Sequence, residues 1–127
     1  GLGGIGGSGI IVVAESKGDV NNSSMTLISD TFTANSTPSS ARLVIFAELG
    51  DTINSEISAS VTRDNSTFNA VSLTDEGYQT GEAGIKIFSG TTPLTGSGSP
   101  QVQLRWKIVG SSLEGANKIH GVSLQWK

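Results

Sequence analysis

From Ser55 to Gly77 the chain alternates apolar and polar residues, breaks at a polar turn, and alternates again. Ile57, Ala59 and Val61 fall on one side; Glu56, Ser58, Ser60 and Thr62 fall on the other. A period of two predicts a strand with one buried and one wet face. Arg63-Asp64-Asn65-Ser66 follows, a run in which Asp and Asn can bond their own backbone and accept left-handed angles. Phe68 and Ala70 resume the alternation, which switches at Val71 before Leu73. The stretch therefore reads as a β-hairpin with a short loop and a bulge where the alternation slips.

The rest of the chain repeats this grammar. Ile10 to Ala14 is a short continuous apolar run, the pattern of a strand covered on both faces. Met25 to Thr33 sets Met25 and Leu27 against Ile28 and Phe32. Arg42 to Leu49, RLVIFAEL, is the most apolar segment; Gly50-Asp51 limits it to strand length, and it reads as a central strand. Ile85 to Ser89 is a short strand with Ile85 and Ile87 inward and Lys86 outward. Gln101 to Val109 alternates most cleanly, with Val102, Leu104, Trp106 and Ile108 on the buried face. Lys118 to Trp126 places His120, Val122, Leu124 and Trp126 on one side and Gly121 and Ser123 on the other. Polar, glycine-containing segments separate these runs: Glu15 to Asn22, Ala34 to Ser40, the acidic Asp75 to Glu82, and Thr91 to Pro100. The expected fold is all-β, a β-sandwich or jelly roll of about eight mostly antiparallel strands.

Composition narrows the possibilities. A chain of 127 residues fits one domain. Gly1 to Gly9, GLGGIGGSG, is read as a glycine-rich linker or the end of a glycine-rich module, and residues 10–127 as the sandwich. Gly1-x-Gly3-x-x-Gly6 and Gly4-x-Gly6-x-x-Gly9 occur there, but a dinucleotide fingerprint needs a strand before it and a helix after it. Here a strand-like run follows instead. A chain that opens inside a glycine tract reads as a piece of something longer. No cysteine is present, which excludes disulfides and thiolate metal sites. Net charge is −3 with 15% charged residues and no basic patch, which argues against nucleic-acid binding. No apolar run approaches the roughly 20 residues of a spanning helix, so no membrane insertion is expected.

Three segments in order resemble bacteriophage virion proteins. GGSGIIVV resembles the exit of glycine-rich modules in phage tail and adhesin proteins; VTRDNSTFNAVSLTDEG and NKIHGVSLQW resemble the central segment and last strand of the β domains that follow. The likeness departs around Gly81-Glu82-Ala83-Gly84. It implies a tail fibre or appendage domain located in the virion and assembled in the host cytoplasm. It further implies a homo-oligomer, a trimer, that contacts other virion proteins and a host surface glycan. It carries over no catalytic residues. Capsid decoration is the alternative within this class; a polysaccharide-binding lectin or hydrolase is the alternative outside it.

Side-chain chemistry adds little to the likeness. His120, the one histidine, reads as a partly buried strand residue bonded to backbone, because no G-x-S-x-G elbow accompanies it. Asp51, Asp64, Asp75 and Glu76 can supply oxygens to calcium, but without EF-hand spacing they read as solvated turn carboxylates. Among Glu48, Asp51, Asp75 and Glu82, no spacing selects a glycosidase pair. Trp106, Trp126, Tyr78 and Phe68 are the aromatics able to stack on a sugar, but Trp106 and Trp126 sit on apolar strand faces and read as core. Tyr78, among polar residues, is the aromatic expected at the surface, and Tyr78, Asp75, Glu76 and Gln79 form the candidate contact patch. No cofactor and no enzymatic activity are expected.

Overall fold

The alternating segments become ten strands among the described residues: β1 (Ile10–Val13), β2 (Met25–Ile28), β3 (Phe32–Thr33), β4 (Ser40–Leu49), β5 (Ile57–Thr62), β6 (Phe68–Val71), β7 (Thr74–Tyr78), β8 (Lys86–Pro93), β9 (Gln103–Gly110) and β10 (Asn117–Trp126). The computed structural model describes residues 24–80 and 84–127, together with the backbone of 10–13. The glycine tract and the Glu15–Asn22 loop lie outside the described residues.

One sheet has the order β1-β10-β4-β8-β7; the other has the order β2-β9-β5-β6, with β3 also on β9. All named strand pairings are antiparallel. The pairings nest: β1 with β10, β2 with β9, β4 with β8, and β5 with β6 innermost. A long hairpin wrapped around itself in this way is the jelly-roll path. The Arg63–Ser66 turn is its tip, with Asn65 at φ 62° as an Asn turn residue allows. β3 and β7 are short additions to the eight-strand plan, so the count exceeds the sequence expectation.

The core lies between the sheets. Leu43, Ile45, Val122 and Leu124 from one sheet meet Ile57, Val61, Leu104 and Ile108 from the other, all at or below 1% exposure. Each such side chain contributes roughly 1.5–3 kcal/mol of burial. Trp106 and Trp126 are both buried here, and RLVIFAEL is the middle strand of its sheet, as the pattern predicts. After β6 the chain crosses between sheets over Gly90 of β8. A Cβ at Gly90 would lie 2.1 Å from the Ser72 carbonyl oxygen and 2.7 Å from a Val71 methyl. Only glycine lets the crossing pass so close.

Several facings differ from the simple pattern. β5 and β6 pair without a slip, Ala59 to Val71 through Thr62 to Phe68. Val71 and Leu73 are therefore core, and Phe68 lies outside, where its ring sits 4.1 Å from the Lys107 ammonium. Phe32 pairs with Leu104 and packs on the core beside Met25 and Leu27, because the break at Ser29–Thr31 resets the alternation. Val102 is only partly buried, since β9 begins one residue later. The β4–β10 register shifts between Ile119 and Gly121, so His120 is the extra residue of a bulge and Ile119 takes the inward place. Lys86 pairs with Ala47 and shares the inner face with Phe88, while Ile87 lies on the outer face. Asp75 and Tyr78 are not in a loop: they belong to β7, an edge strand paired with β8 and bulged at Gly77. The start of the Thr91–Pro100 connection is likewise strand, because β8 runs to Pro93.

Candidate functional site

The connections gather at the two ends of the jelly roll, and the ends differ. At one end, residues 29–39, 63–67 and 94–102 are stapled together. The Arg63 guanidinium donates to the carbonyls of Gly96 at 3.0 Å and Pro38 at 2.9 Å. The buried Asp64 carboxylate accepts from the amides of Thr67, Ser66 and Gly98 at 2.8–3.0 Å and from the Thr62 hydroxyl at 3.0 Å. Those donors, the Thr67 amide foremost, hold its pKa at about 2 against the opposing effect of burial. This end is built for rigidity.

At the other end, Gly50, Asp51, Asp75, Tyr78, Gly84 and Ala116 border a cleft of about 430 Å³; residues 81–83, Glu82 among them, lie outside the described residues. Leu49, Ile53 and Phe88 supply the apolar lining of the cleft. Its walls are held by side chains that mimic strand pairing. Asn117, fully buried, accepts from the Gly50 and Asp51 amides at 2.9 and 3.2 Å and donates to Asp51 at 2.8 Å. Asp51 also accepts from the amides of Glu114 and Gly115, each at 3.0 Å. Asn117 and these amides hold the Asp51 carboxyl below its ordinary pKa. Asn54, at φ 66°, both donates to and accepts from the Leu73 backbone, at 2.7 and 2.9 Å.

The rim carries the exposed chemistry. Tyr78 is 66% exposed, against 44% for Ile28, the other exposed large hydrophobic among the described residues. The Lys86 ammonium lies 5.2 Å from the Tyr78 ring centroid and 2.9 Å from an Asp75 carboxylate oxygen. Asp75 accepts a second bond from the Gly77 amide at 2.9 Å. Lys86 first, then this amide, lower the Asp75 pKa, and Asp75 in turn raises that of Lys86. On the inner face a lysine would ordinarily be costly; here the cleft admits water to its head group.

The candidate patch divides between two faces. Tyr78 and Asp75 line the cleft. Glu76 points to the outer face, where it accepts from the Ser89 hydroxyl at 2.7 Å. Gln79 is half-buried, its amide donating to the Ile85 carbonyl at 2.7 Å. Lys86, Leu49 and Ile53 join the cleft although the sequence reading did not single them out; Lys86 was masked by the reversed facing of β8. Glu48 also borders the cleft and is hydrogen-bonded to His120 at 2.7 Å, so the histidine's partner is a carboxylate rather than backbone. No serine or threonine hydroxyl bonds His120 among the described residues. Asp51 and Asp75 border the cleft while Asp64 lies at the opposite end and Glu76 on the outer face, and no group of three metal-ligating His, Asp or Glu residues forms among the described residues.

No protein-family model and no curated protein matches the sequence. Solved structures resemble this chain at low identity. The enzymatically active domain of tailspike protein 4 from bacteriophage CBA120 superposes with a TM-score of 0.52 at 14% identity, covering 94% of this chain and 18% of that one. The latent PorU dimer of Porphyromonas gingivalis gives 0.48 at 9% identity over 94% of this chain and 12% of that one. FLHE gives 0.45 at 15% identity over 94% of this chain and 96% of that one. The chain thus spans less than a fifth of the tailspike chain, and what the likeness establishes is the fold.

Proposed function

We propose that this chain is a structural module of a phage virion appendage, of the tail-fibre or tailspike kind, that works by holding a rigid surface against a host envelope. The observation that carries a contact role is the exposed Tyr78, steadied by Lys86 and Asp75 at the mouth of a cleft on an otherwise stapled sandwich. Rigid loops on a β scaffold favour binding because little entropy is lost on contact. The phage setting is supported by the three sequence segments and by the tailspike likeness. A contact role rather than catalysis is supported by the state of the carboxylates: each is fixed as an ionised acceptor, Asp51 by three donors, Asp75 by Lys86 and Gly77, and Glu48 by bonding to His120. In this reading the domain assembles as a homotrimer alongside other virion proteins.

Sedimentation equilibrium of the purified chain, with adsorption to a panel of bacterial envelopes, tests the proposal. A trimer that adsorbs to at least one envelope is the expected result. A monomer that adsorbs to none overturns it.

A further inference from the structure

We infer that the cleft between Tyr78 and Leu49 binds an uncharged pyranose unit of a polysaccharide, with Tyr78 packing on the sugar and the Lys86–Asp75 pair holding adjacent hydroxyls. This deepens the host-contact reading and rests on it. Three features of the cleft converge on that ligand.

The first is shape. A volume of about 430 Å³ suits a small ligand or the end of a chain, and the exposed Tyr78 in its lining is within reach of a polymer. The second is the arrangement of donors and acceptors. A pyranose presents C–H bonds on its faces and hydroxyls around its edge, each hydroxyl both donor and acceptor. An exposed aromatic ring accepts the C–H face. The Lys86 ammonium donates one N–H to Asp75 and keeps two, while the Asp75 carboxylate keeps unused lone pairs; donor and acceptor stand 2.9 Å apart. Neighbouring hydroxyls on a sugar can bridge such a pair without breaking it. Leu49 and Ile53 supply an apolar floor for the remaining C–H surface.

The third feature is charge. Glu48, Asp51 and Asp75 border the cleft against the single ammonium of Lys86. That surplus of carboxylate repels uronates, sialates and phosphates. It leaves neutral hexoses and N-acetylated hexosamines as the matching class. The other exposed large hydrophobic among the described residues, Ile28, has no such surroundings: it lies on the outer face of the second sheet, beside Lys107 in the register.

The test is titration of the full chain with dextran, mannan and chitotetraose as neutral probes, and with polygalacturonate and polysialic acid as anionic ones. At least one neutral probe binds, and Tyr78→Ala weakens it by about tenfold or more. Tyr78→Phe retains binding, Lys86→Met loses it, and Ile28→Ala is indistinguishable from wild type. A preference for the anionic probes, or neutral binding unaffected by Tyr78→Ala, overturns the inference. Adsorption to envelopes that persists while every neutral probe fails overturns the ligand class alone; loss of both removes the host-contact reading as well.

Discussion

Replacing Asp64 by Asn leaves the shape of the Arg63–Thr67 turn and removes its charge. One carboxylate oxygen accepts from Thr67, Ser66 and Thr62, and the other from Gly98. An amide oxygen can serve the first three donors, but its NH2 then faces the Gly98 amide, donor against donor. The three surviving bonds lose the benefit of an ionised acceptor, about 1 kcal/mol or more among them, and the half-buried Gly98 N–H left facing a donor costs about 1–3 kcal/mol. The expected destabilisation is about 2–4 kcal/mol near neutral pH. Titration supplies an independent figure. A carboxyl held at about 2 in the fold, against 3.8 in an open chain, contributes about 2 kcal/mol when ionised in both states. Because the folded value is the lower one, this stability is fully present above the open-chain value and disappears as pH falls through about 2. Urea unfolding of both proteins across the acid range reads both numbers. The gap between wild type and Asp64→Asn is widest near neutral pH and narrows by about 2 kcal/mol as the wild-type carboxyl protonates, with unchanged m-values. A gap that is absent, or that stays constant with pH, refutes the account of this turn.

Other substitutions probe the remaining joints of the fold. Gly90→Ala drives a methyl into the Ser72 carbonyl and is expected to cost about 2–3 kcal/mol in urea unfolding, because backbone cannot yield there. Trp106→Ala empties a core position at 4% exposure and costs about 3–5 kcal/mol; an unchanged midpoint contradicts the core assignment. Asn117→Asp sets a second carboxylate against Asp51 and removes the donors to Asp51 and Gly115. It destabilises strongly near neutral pH, and its deficit relative to wild type shrinks as acid protonates one of the pair, which thermal melts at several pH values measure.

The strands were legible because a sandwich is governed by a simple rule, one face in and one face out. Leu104, Trp106 and Ile108 obey it, and so do Ile57, Ala59 and Val61. The errors fall where a second rule intervenes. His120 leaves its expected face because a bulge inserts a residue whose need is set by the partner strand β4, which local sequence cannot reveal. Lys86 looks solvent-facing by its charge, yet it occupies an inner position that is wet because it lines the cleft. Phe68 looks like core by its apolarity and instead covers Lys107 from outside. β7 reads as a loop because Asp, Glu and Gly disfavour strands, whereas an edge strand tolerates charge and a bulge.

Legibility of the site was poorer for the same reason. Tyr78 and Asp75 are adjacent enough in sequence to be chosen together, and they do share the cleft. Glu76 lies between them and faces away, as alternation within a strand demands. The polar pins Asn54 and Asn117 join segments 19 and 66 residues apart, and nothing in their neighbours marks them.

Amide chemical-shift mapping during titration with an envelope polysaccharide that retains the chain tests the central claim most directly. The account predicts shifts concentrated at Leu49, Ile53, Tyr78 and Lys86 and silence around Arg63, Asp64 and Gly98. Shifts concentrated at the stapled end, or spread evenly over both sheets, would contradict it.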